Sequence, residues 1–443
     1  MRTAHYIGRV GALAVALGIG TGLAATPWVA CAKPSSSGSA SSQSAAGSAP
    51  SSTSSSSSDR NGPNLSVSTN GVTRVQKGTA SSLAEGTGSV AIARGDNSAA
   101  YAGAVPGFPD LGGDHNLAKV SGEGSMAIAA GGDRNTATVT GDGSIAVAAF
   151  GDGNTSTVTG DGSQAFTQEG SNNTATVTGD GSQAVVTTGD HNTATITGDN
   201  STAYSDVGDD NVATVTGDNS RASTIDGSNN TATVTGDNSS AFSQQGSNNV
   251  ATVTGDGSQA GAEAGTKNTA TVTGDNSTAN AGSGDDNDAT ITGDNSLAAA
   301  TNGSNNTATI TGDRSQAIAG EGDHNTAIVS GDDSAARATV GDDNDANVTG
   351  DNNLAFATAG DNNTATVTGD NSWAFAGNPN PLAQPAGLGG DNNTATITGS
   401  GTPSNPNLAQ AGLGDNNTAT VIGDGLPPAV AEGESQSATQ PPP

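Results

Sequence analysis

Large apolar, aromatic, basic and cysteine residues are all scarce in this 443-residue chain. It has two Trp, three Tyr and six Phe, 13 Lys and Arg against 43 Asp and Glu, and one Cys. Because its apolar residues are mostly Ala and Val, the chain cannot build the thick core of a conventional multidomain enzyme. The formal charge of −30 argues against nucleic acids and anionic membranes as partners, because their phosphates would repel it.

The N-terminus has the pattern of an export signal. Arg2 and Arg9 form a basic segment, and residues 10–25 form an apolar run that is too short and Gly-rich for a stable membrane span. The run over residues 6–18 closely resembles the leaders of secreted mycobacterial proteins. We therefore predict a secreted or cell-surface protein whose mature form has no membrane span.

The single cysteine lies where such a leader would be cut. Ala30-Cys31-Ala32 supplies the small residues that signal peptidase prefers, so we predict a signal peptide over 1–32. The mature chain then has neither a thiol nor a disulfide. The alternative is that Cys31 carries a lipid anchor; we favour release, because Trp28 stands where lipoprotein signals usually have an aliphatic residue.

Two segments have compositions typical of disorder. Residues 33–60 are dominated by Ser, and residues 425–443 end in Gln-Pro-Pro-Pro. Neither segment can bury enough area to offset its chain entropy. We predict a disordered linker in the first and a disordered Pro-rich tail in the second.

Between these segments the sequence repeats every 19 residues. From Gly113 to Gly360, a Gly opens the same turn at each step of 19 without an insertion. Two further copies open at Gly390 and Gly414, after Pro-bearing insertions. A constant period over this length indicates a solenoid, because an insertion would disturb the stacking of neighbouring repeats.

Each repeat contains two Gly-containing turns and two short segments of alternating β-branched and small residues. This period of two predicts strands, and Thr, Val, Asn and Gly are poor helix formers. We therefore predict an all-β fold, a β-solenoid (β-helix or β-roll) of 19-residue coils with two short strands each. The predicted parts are an irregular N-terminal cap at 61–112, the regular array at 113–377 and C-terminal coils with insertions at 378–424.

The alternation assigns the two faces of each strand. In one copy Asn173, Ala175 and Val177 point inward and the intervening Thr residues point outward; Ala184 and Val186 point inward in the next strand. Such a core is thin, so strand pairing and ladders of stacked polar side chains must supply the remaining stability. The Asn that ends each first turn is the clearest such ladder.

A file of Asp residues follows the second Gly of each repeat. Register places neighbouring carboxylates about 5 Å apart, where they repel one another. A Ca²⁺ ion between coils would reverse the sign of that interaction. The alternative is that Asp is simply a favourable, solvated turn residue. No other cofactor is indicated. The candidate calcium ligands are Asp180, Asp199, Asp218, Asp237, Asp256 and Asp275.

Outward Thr residues form long files along the first strands. Such flat Thr arrays resemble the ice-binding faces of insect antifreeze proteins, which implies binding of ice or a polysaccharide. Asp288 and Asp345 interrupt one of these files, which a lattice-matching face would not favour. The alternative is that Thr is a polar strand former at an exposed site.

A file on the outer side of the second strands carries many of the scarce aromatic residues, and apolar stripes of this kind usually mark contact surfaces. The Gly-x-x-Ser-x-Ala-x-Ala motif, as in 122–129, resembles head repeats of trimeric autotransporter adhesins, which are trimers of stacked β-coils that bind host matrix. That resemblance implies self-association or a host or cell-wall ligand. The alternative is a few tolerated surface aromatics. The candidate contact residues are Phe166, Tyr204, Phe242, Ile318, Phe356 and Phe375.

No catalytic constellation is apparent. His115, His191 and His324 lie in variable turn positions, four and seven coils apart, so no two can share a metal or a proton. The many carboxylates have equivalent surroundings, which cannot separate an acid from a base. We expect an exported, non-enzymatic scaffold or adhesin. The alternatives are a Ca²⁺-stabilised secreted roll without a specific partner and a Thr-array binder of ice or polysaccharide.

Overall fold

The computed structural model describes residues 64–108, 111–377 and 389–440. In these residues the secondary structure is entirely β, and parallel strands stack at 19-residue spacing into a solenoid of about 18 coils. The predicted β-solenoid fold is thus confirmed. The predicted signal peptide, Cys31 and the Ser-rich linker lie outside the described residues.

The strands are short, and most of them have five residues. In chain order they are β1 Leu65–Thr69, β2 Val72–Lys77, β3 Ser81–Ala84, β4 Val90–Arg94, β5 Ala99–Ala102, β6 Leu117–Ser121, β7 Met126–Ala130, β8 Thr136–Thr140, β9 Ile145–Ala149, β10 Thr155–Thr159, β11 Gln164–Gln168, β12 Thr174–Thr178, β13 Gln183–Val186, β14 Thr193–Thr197, β15 Thr202–Asp206, β16 Val212–Thr216, β17 Arg221–Ile225, β18 Thr231–Thr235, β19 Ser240–Gln244, β20 Val250–Thr254, β21 Gln259–Glu263, β22 Thr269–Thr273, β23 Thr278–Gly282, β24 Asp288–Thr292, β25 Leu297–Thr301, β26 Thr307–Thr311, β27 Gln316–Gly320, β28 Thr326–Ser330, β29 Ala335–Thr339, β30 Asp345–Thr349, β31 Leu354–Thr358, β32 Thr364–Thr368, β33 Ser372–Gly377, β34 Thr394–Thr398, β35 Asn407–Gly412, β36 Thr418–Ile422, β37 Ala429–Glu432 and β38 Ser437–Gln440.

Two sheets face each other across the thin core. Sheet A contains β1 and all the even-numbered strands, and sheet B contains the odd-numbered strands from β3 onward. Within the coils the pairing is parallel and in register, so that Ala175 lies beside Ala194 and Val177 beside Ile196. These four side chains have no exposed surface, which confirms the predicted inward face.

The N-terminal end departs from the parallel pattern. Strand β1 pairs antiparallel with both β2 and β4, and a two-residue turn at Asn70-Gly71 joins β1 to β2. Both turn residues have a positive φ, as tight hairpins require. Strand β2 is largely exposed and carries Arg74 and Lys77. Charged side chains on an edge strand hinder the addition of further strands.

The C-terminal end corrects one prediction. Composition predicts disorder over residues 425–443, yet β37 pairs with β35 and β38 pairs with β36 in continued parallel register. The segments Ala-Val-Ala and Ser-Ala-Thr keep the small-residue alternation of the array, so the preceding coil supplies a template for them. The predicted disorder is therefore wrong for residues 429–432 and 437–440; residues 441–443 lie outside the described part.

Candidate functional site

Each coil divides into a first half of nine residues and a second half of ten. In one coil the first half covers residues 227–235, with a turn and the sheet A strand, and the second half covers 236–245, with a turn and the sheet B strand. The two halves hold neighbouring coils together by the same device and differ on their outer surfaces.

The inward Asn of the first half joins neighbouring coils by two hydrogen bonds. The Nδ2 of Asn230 donates to the carbonyl oxygen of Gly246 at 2.8 Å, and its Oδ1 accepts the backbone N–H of Asn249 at 3.0 Å. Asn230 is fully buried. Its amide therefore satisfies a donor and an acceptor that the next coil would otherwise bury without partners.

A Ser performs the same task in the second half. The Oγ of Ser239 donates to the carbonyl oxygen of Gly255 at 2.7 Å and accepts the backbone N–H of Ser258 at 3.1 Å. Sequence reasoning missed this ladder. Its signal is the recurrence of Ser in the second turn at the position that Asn holds in the first.

The candidate calcium ligands form a third ladder. The Oδ1 of Asp199 accepts the backbone N–H of Asp180 at 2.7 Å, and the Oδ1 of Asp218 accepts that of Asp199 at 2.7 Å. The pattern continues through Asp237, Asp256 and Asp275. Each carboxylate thus holds the turn of the preceding coil by a charge-assisted hydrogen bond.

The hydrogen bonds of this ladder join Asp carboxylates to backbone N–H groups. Within residues 64–108, 111–377 and 389–440, no group of three or more His, Cys, Asp or Glu side chains is placed to hold a metal. The calcium hypothesis stays a prediction, and thermal unfolding followed by circular dichroism with excess Ca²⁺ and then with chelator tests it.

The candidate contact residues on the outer side of sheet B do not form one uniform face. Phe166 is only 6% exposed, and its register partners Val147 and Val185 are also buried. This differs from the expectation of an exposed stripe. Further along, Ile318 is half-buried and lies in register between Ala299 and Arg337.

In the middle of this file, neighbouring polar groups contact the aromatic side chains. The hydroxyl of Tyr204 donates to Asp206 Oδ2 at 3.2 Å. Burial, and next the charge of Asp206, raise the pKa of Tyr204 to about 12. The guanidinium of Arg221 lies 5.5 Å from the ring centroid of Phe242, a cation–π distance.

Near the C-terminal end the aromatic side chains contact each other. The rings of Phe356 and Phe375 lie 5.6 Å apart in an edge-to-face arrangement. Trp373 is 40% exposed, two residues before Phe375 on the same outer face. Sequence reasoning left it out of the stripe, although this spacing was the signal. The C-terminal aromatic patch consists of Leu354, Phe356, Trp373, Phe375, Leu408 and Gln410.

The variable turn position also holds a set of ion pairs that sequence reasoning missed. A cation in one coil is followed 19 residues later by an Asp, and the two side chains meet across the coil boundary. Among these pairs, the hydrogen bond from Arg314 holds the pKa of Asp333 below its ordinary value. The pairs are Lys267–Asp286 at 3.7 Å and Arg314–Asp333 at 2.6 Å. The imidazole of His191 lies 4.0 Å from the carboxylate of Asp210 at the same 19-residue spacing.

The acids with raised pKa values are isolated from one another. Burial raises the pKa of Asp206, Glu263 and Asp345, which lie on β15, β21 and the sheet A strand β30. A general acid and a general base must both reach one substrate, and these carboxyl groups lie three or more coils apart along the solenoid. They therefore do not form an acid–base pair.

No protein-family model matches the sequence, and no curated protein matches it. Among the described residues, no helix is long and apolar enough to cross a membrane.

Proposed function

We propose that this chain is an exported, non-enzymatic scaffold or adhesin that presents the outer face of sheet B as its contact surface. The observation that carries the proposal is the contrast between the two outer faces. Sheet A repeats Thr along its outer side, as in Thr231, Thr233 and Thr235. The corresponding positions of sheet B change from coil to coil and include the aromatic residues.

This contrast suits a scaffold with a variable surface. The inward Asn and Ser ladders and the Asp ladder hold the coils together. Outward positions on sheet B take no part in those ladders, so side chains there can change at little cost to stability. Large aromatic side chains at such positions favour binding, because they bury much area with few rotatable bonds.

Adhesion of the full chain tests the proposed contact surface. Beads coated with the protein are applied to isolated cell envelopes of the encoding organism and to surfaces coated with host matrix protein. The face variant combines Phe242→Thr, Phe356→Thr and Phe375→Thr, and the control combines Thr233→Ser, Thr252→Ser and Thr366→Ser. We expect at least about tenfold lower bead retention for the face variant and an unchanged control. Equal retention of the face variant and the wild type would contradict the proposal.

Protease accessibility on intact cells tests the proposed export. Protease treatment of intact cells should remove the chain while a cytoplasmic marker survives. Complete protection of the chain in intact cells, with digestion after lysis, would place it inside and reject the exported scaffold.

The register of sheet A favours ice or another regular lattice as a second candidate ligand. Thr214, Thr233 and Thr252 are direct register partners on one outer face. Their spacing along the solenoid is about 4.8 Å, and successive outward Thr residues of a strand lie about 7 Å apart. Thermal hysteresis and inhibition of ice recrystallisation by the full chain, both reduced by Thr233→Leu, are the expected signs. Their absence removes this candidate.

A further inference from the structure

The aromatic rings of the C-terminal aromatic patch have different neighbours from the rings in the middle of the same outer face of sheet B. Upstream, Phe242 lies under Arg221, and Tyr204 is hydrogen-bonded to a carboxylate. In the patch, Phe356 and Phe375 contact each other, and Trp373 keeps 40% of its surface exposed. The patch therefore presents aromatic surface that is available for a ligand.

The patch is flat and small because two rows of side chains on neighbouring strands form it. Leu354, Trp373 and Leu408 are consecutive register partners in the first row. Neighbours in a row lie about 4.8 Å apart, and the rows lie about 7 Å apart. The contact area is thus on the order of 200 Å², which suits one or two sugar rings. The second row consists of Phe356, Phe375 and Gln410.

Area and charge both argue against a second copy as the occupant. A stable protein–protein interface buries about 800 Å² on each partner, several times what this patch offers. Each chain also carries a formal charge of −30, so two copies repel each other. The same charge disfavours anionic polymers. A neutral ligand with a small contact area fits these constraints.

The edge of the patch supplies polar groups. Gln410 Nε2 donates to Glu432 Oε1 at 2.5 Å, which orients an amide and a carboxylate beside the aromatic rows. Sugar rings have polarised C–H bonds on their faces and hydroxyls around their edges. The faces of aromatic rings are electronegative and attract such C–H bonds, and the amide and carboxylate can bind the hydroxyls.

We propose that the C-terminal aromatic patch binds a neutral polysaccharide, with sugar faces on Trp373 and Phe375 and hydroxyls on Gln410 and Glu432. This inference deepens the proposed function and rests on it, because it names the ligand class for one part of the sheet B face.

Tryptophan fluorescence isolates this patch. The chain has two Trp residues, so Trp28→Phe leaves Trp373 as the single reporter. The full chain with this change is titrated with cellohexaose and mannohexaose as neutral probes and with hexagalacturonate as an anionic probe. We expect a saturable blue shift of Trp373 emission with at least one neutral probe and none with the anionic probe.

Two variants in that background locate the binding. Phe375→Thr should raise the dissociation constant at least about tenfold, because it removes one stacking ring. Val250→Thr replaces an outward apolar side chain of sheet A, outside the proposed contact surface, and it should change the constant less than about twofold. Matching circular dichroism melts of the two variants and the parent show that the fold is retained.

The other outcomes overturn the inference. A flat titration with both neutral probes, or an equal response to hexagalacturonate, rejects a neutral glycan. Emission that shifts with protein concentration, together with a sedimentation change lost in Phe375→Thr, assigns the patch to a second copy. If the fluorescence result is negative but the face variant still loses adhesion, only the ligand class fails. If adhesion does not depend on the face, the proposed function fails as well.

Discussion

The first and second halves of each coil stack on the next coil in the same way, and they differ in their outward side chains. Both place an inward polar side chain that accepts an N–H from the next coil and donates to a Gly carbonyl, as Asn230 and Ser239 do. The first half covers its outer side with repeated Thr, whereas the outer side of the second half varies. Both halves thus stabilise the stacking of coils, and the sequence variation on the outer surface is confined to the second half.

The extra residue of the second half is a further difference between the two halves. The tenth residue adopts a left-handed conformation in most coils, with φ of 47° at Val207, 54° at Gln245 and 59° at Asn302. Left-handed geometry is unfavourable for side chains other than Gly, and most of all for β-branched ones. The nine-residue first half has no counterpart to this position, so the backbone strain here belongs to the variable half.

The largest expected effect comes from the glycines that open each half. Gly227 has a φ of 146°, and a Cβ there would overlap the carbonyl oxygen of Gly246. We expect Gly227→Ala to lower the free energy of unfolding by about 3 kcal/mol or more, measured by denaturant titration. Gly236→Ala in the second half should do the same, because its geometry is equivalent.

A matched control separates this clash from the effect of an added methyl group. Gly261 lies in a strand without a positive φ, and the atom nearest to a Cβ added there would be Asn280 Oδ1 at 3.5 Å. Gly261→Ala should leave the midpoint of unfolding nearly unchanged. If Gly261→Ala and Gly227→Ala lowered the free energy of unfolding by similar amounts, the close contact between coils at the turn glycine would not be the cause of the loss.

Next in size is the loss of a ladder side chain. Asn230→Ala leaves the carbonyl of Gly246 and the N–H of Asn249 unpaired, for a loss of about 3 kcal/mol. Ser239→Ala removes two equivalent bonds and should cost about 2 kcal/mol, because a smaller void remains. Both values follow from denaturant unfolding, with the outward Ser240→Ala as control. A negligible effect at Ser239 would break the equivalence of the two halves.

A smaller effect, of opposite sign, is expected at the tenth residue. Val207→Asn should raise the free energy of unfolding by about 1 kcal/mol, because Asn tolerates the left-handed region better than Val. The reverse change, Asn302→Val, should lower it by a similar amount in the same titration. If neither variant shifts the midpoint, the second half carries no backbone strain at this position.

The smallest effect concerns the ion pairs, which occur in the turns of both halves. Arg314–Asp333 joins second-half turns, and Lys267–Asp286 joins first-half turns. Arg314→Asp alone should lower the melting temperature by about 1 °C, and adding Asp333→Arg should restore it. The difference should vanish in about 1 M salt because exposed charges are then screened. A double variant that melts like the single one would show that the pair does not couple the coils.

Much of the fold could be predicted because its determinants recur at fixed spacing. The 19-residue period, the alternation that buries Ala175 and Val177, and the stacked Asn residues are all visible in one copy and repeated in the others. The strands at 429–432 and 437–440 escaped prediction because their segment is Pro-rich, and their pairing depends on a preceding coil that offers its edge.

Less of the candidate site could be predicted from the sequence. Phe166 and Phe375 occupy the same kind of position, yet the first is buried and the second is half-buried beside Phe356. What distinguishes them is the set of neighbours across the coils. The Asp file was visible, but the acceptance of a backbone N–H by each Asp Oδ1 depends on a turn geometry that residue types alone do not specify.

Alternation and turn chemistry act within a few residues, so the amino-acid order alone is enough to set the period, the strands and the inward side of each coil. Which groups meet across 19 residues depends instead on the folded chain. It is the stacking of coils that places Ser239 beneath a carbonyl of the next coil, Asp333 beside Arg314, and Trp373 in one patch with Phe356. Those contacts need a side chain and its partner in one register, and register exists only once the coils have stacked.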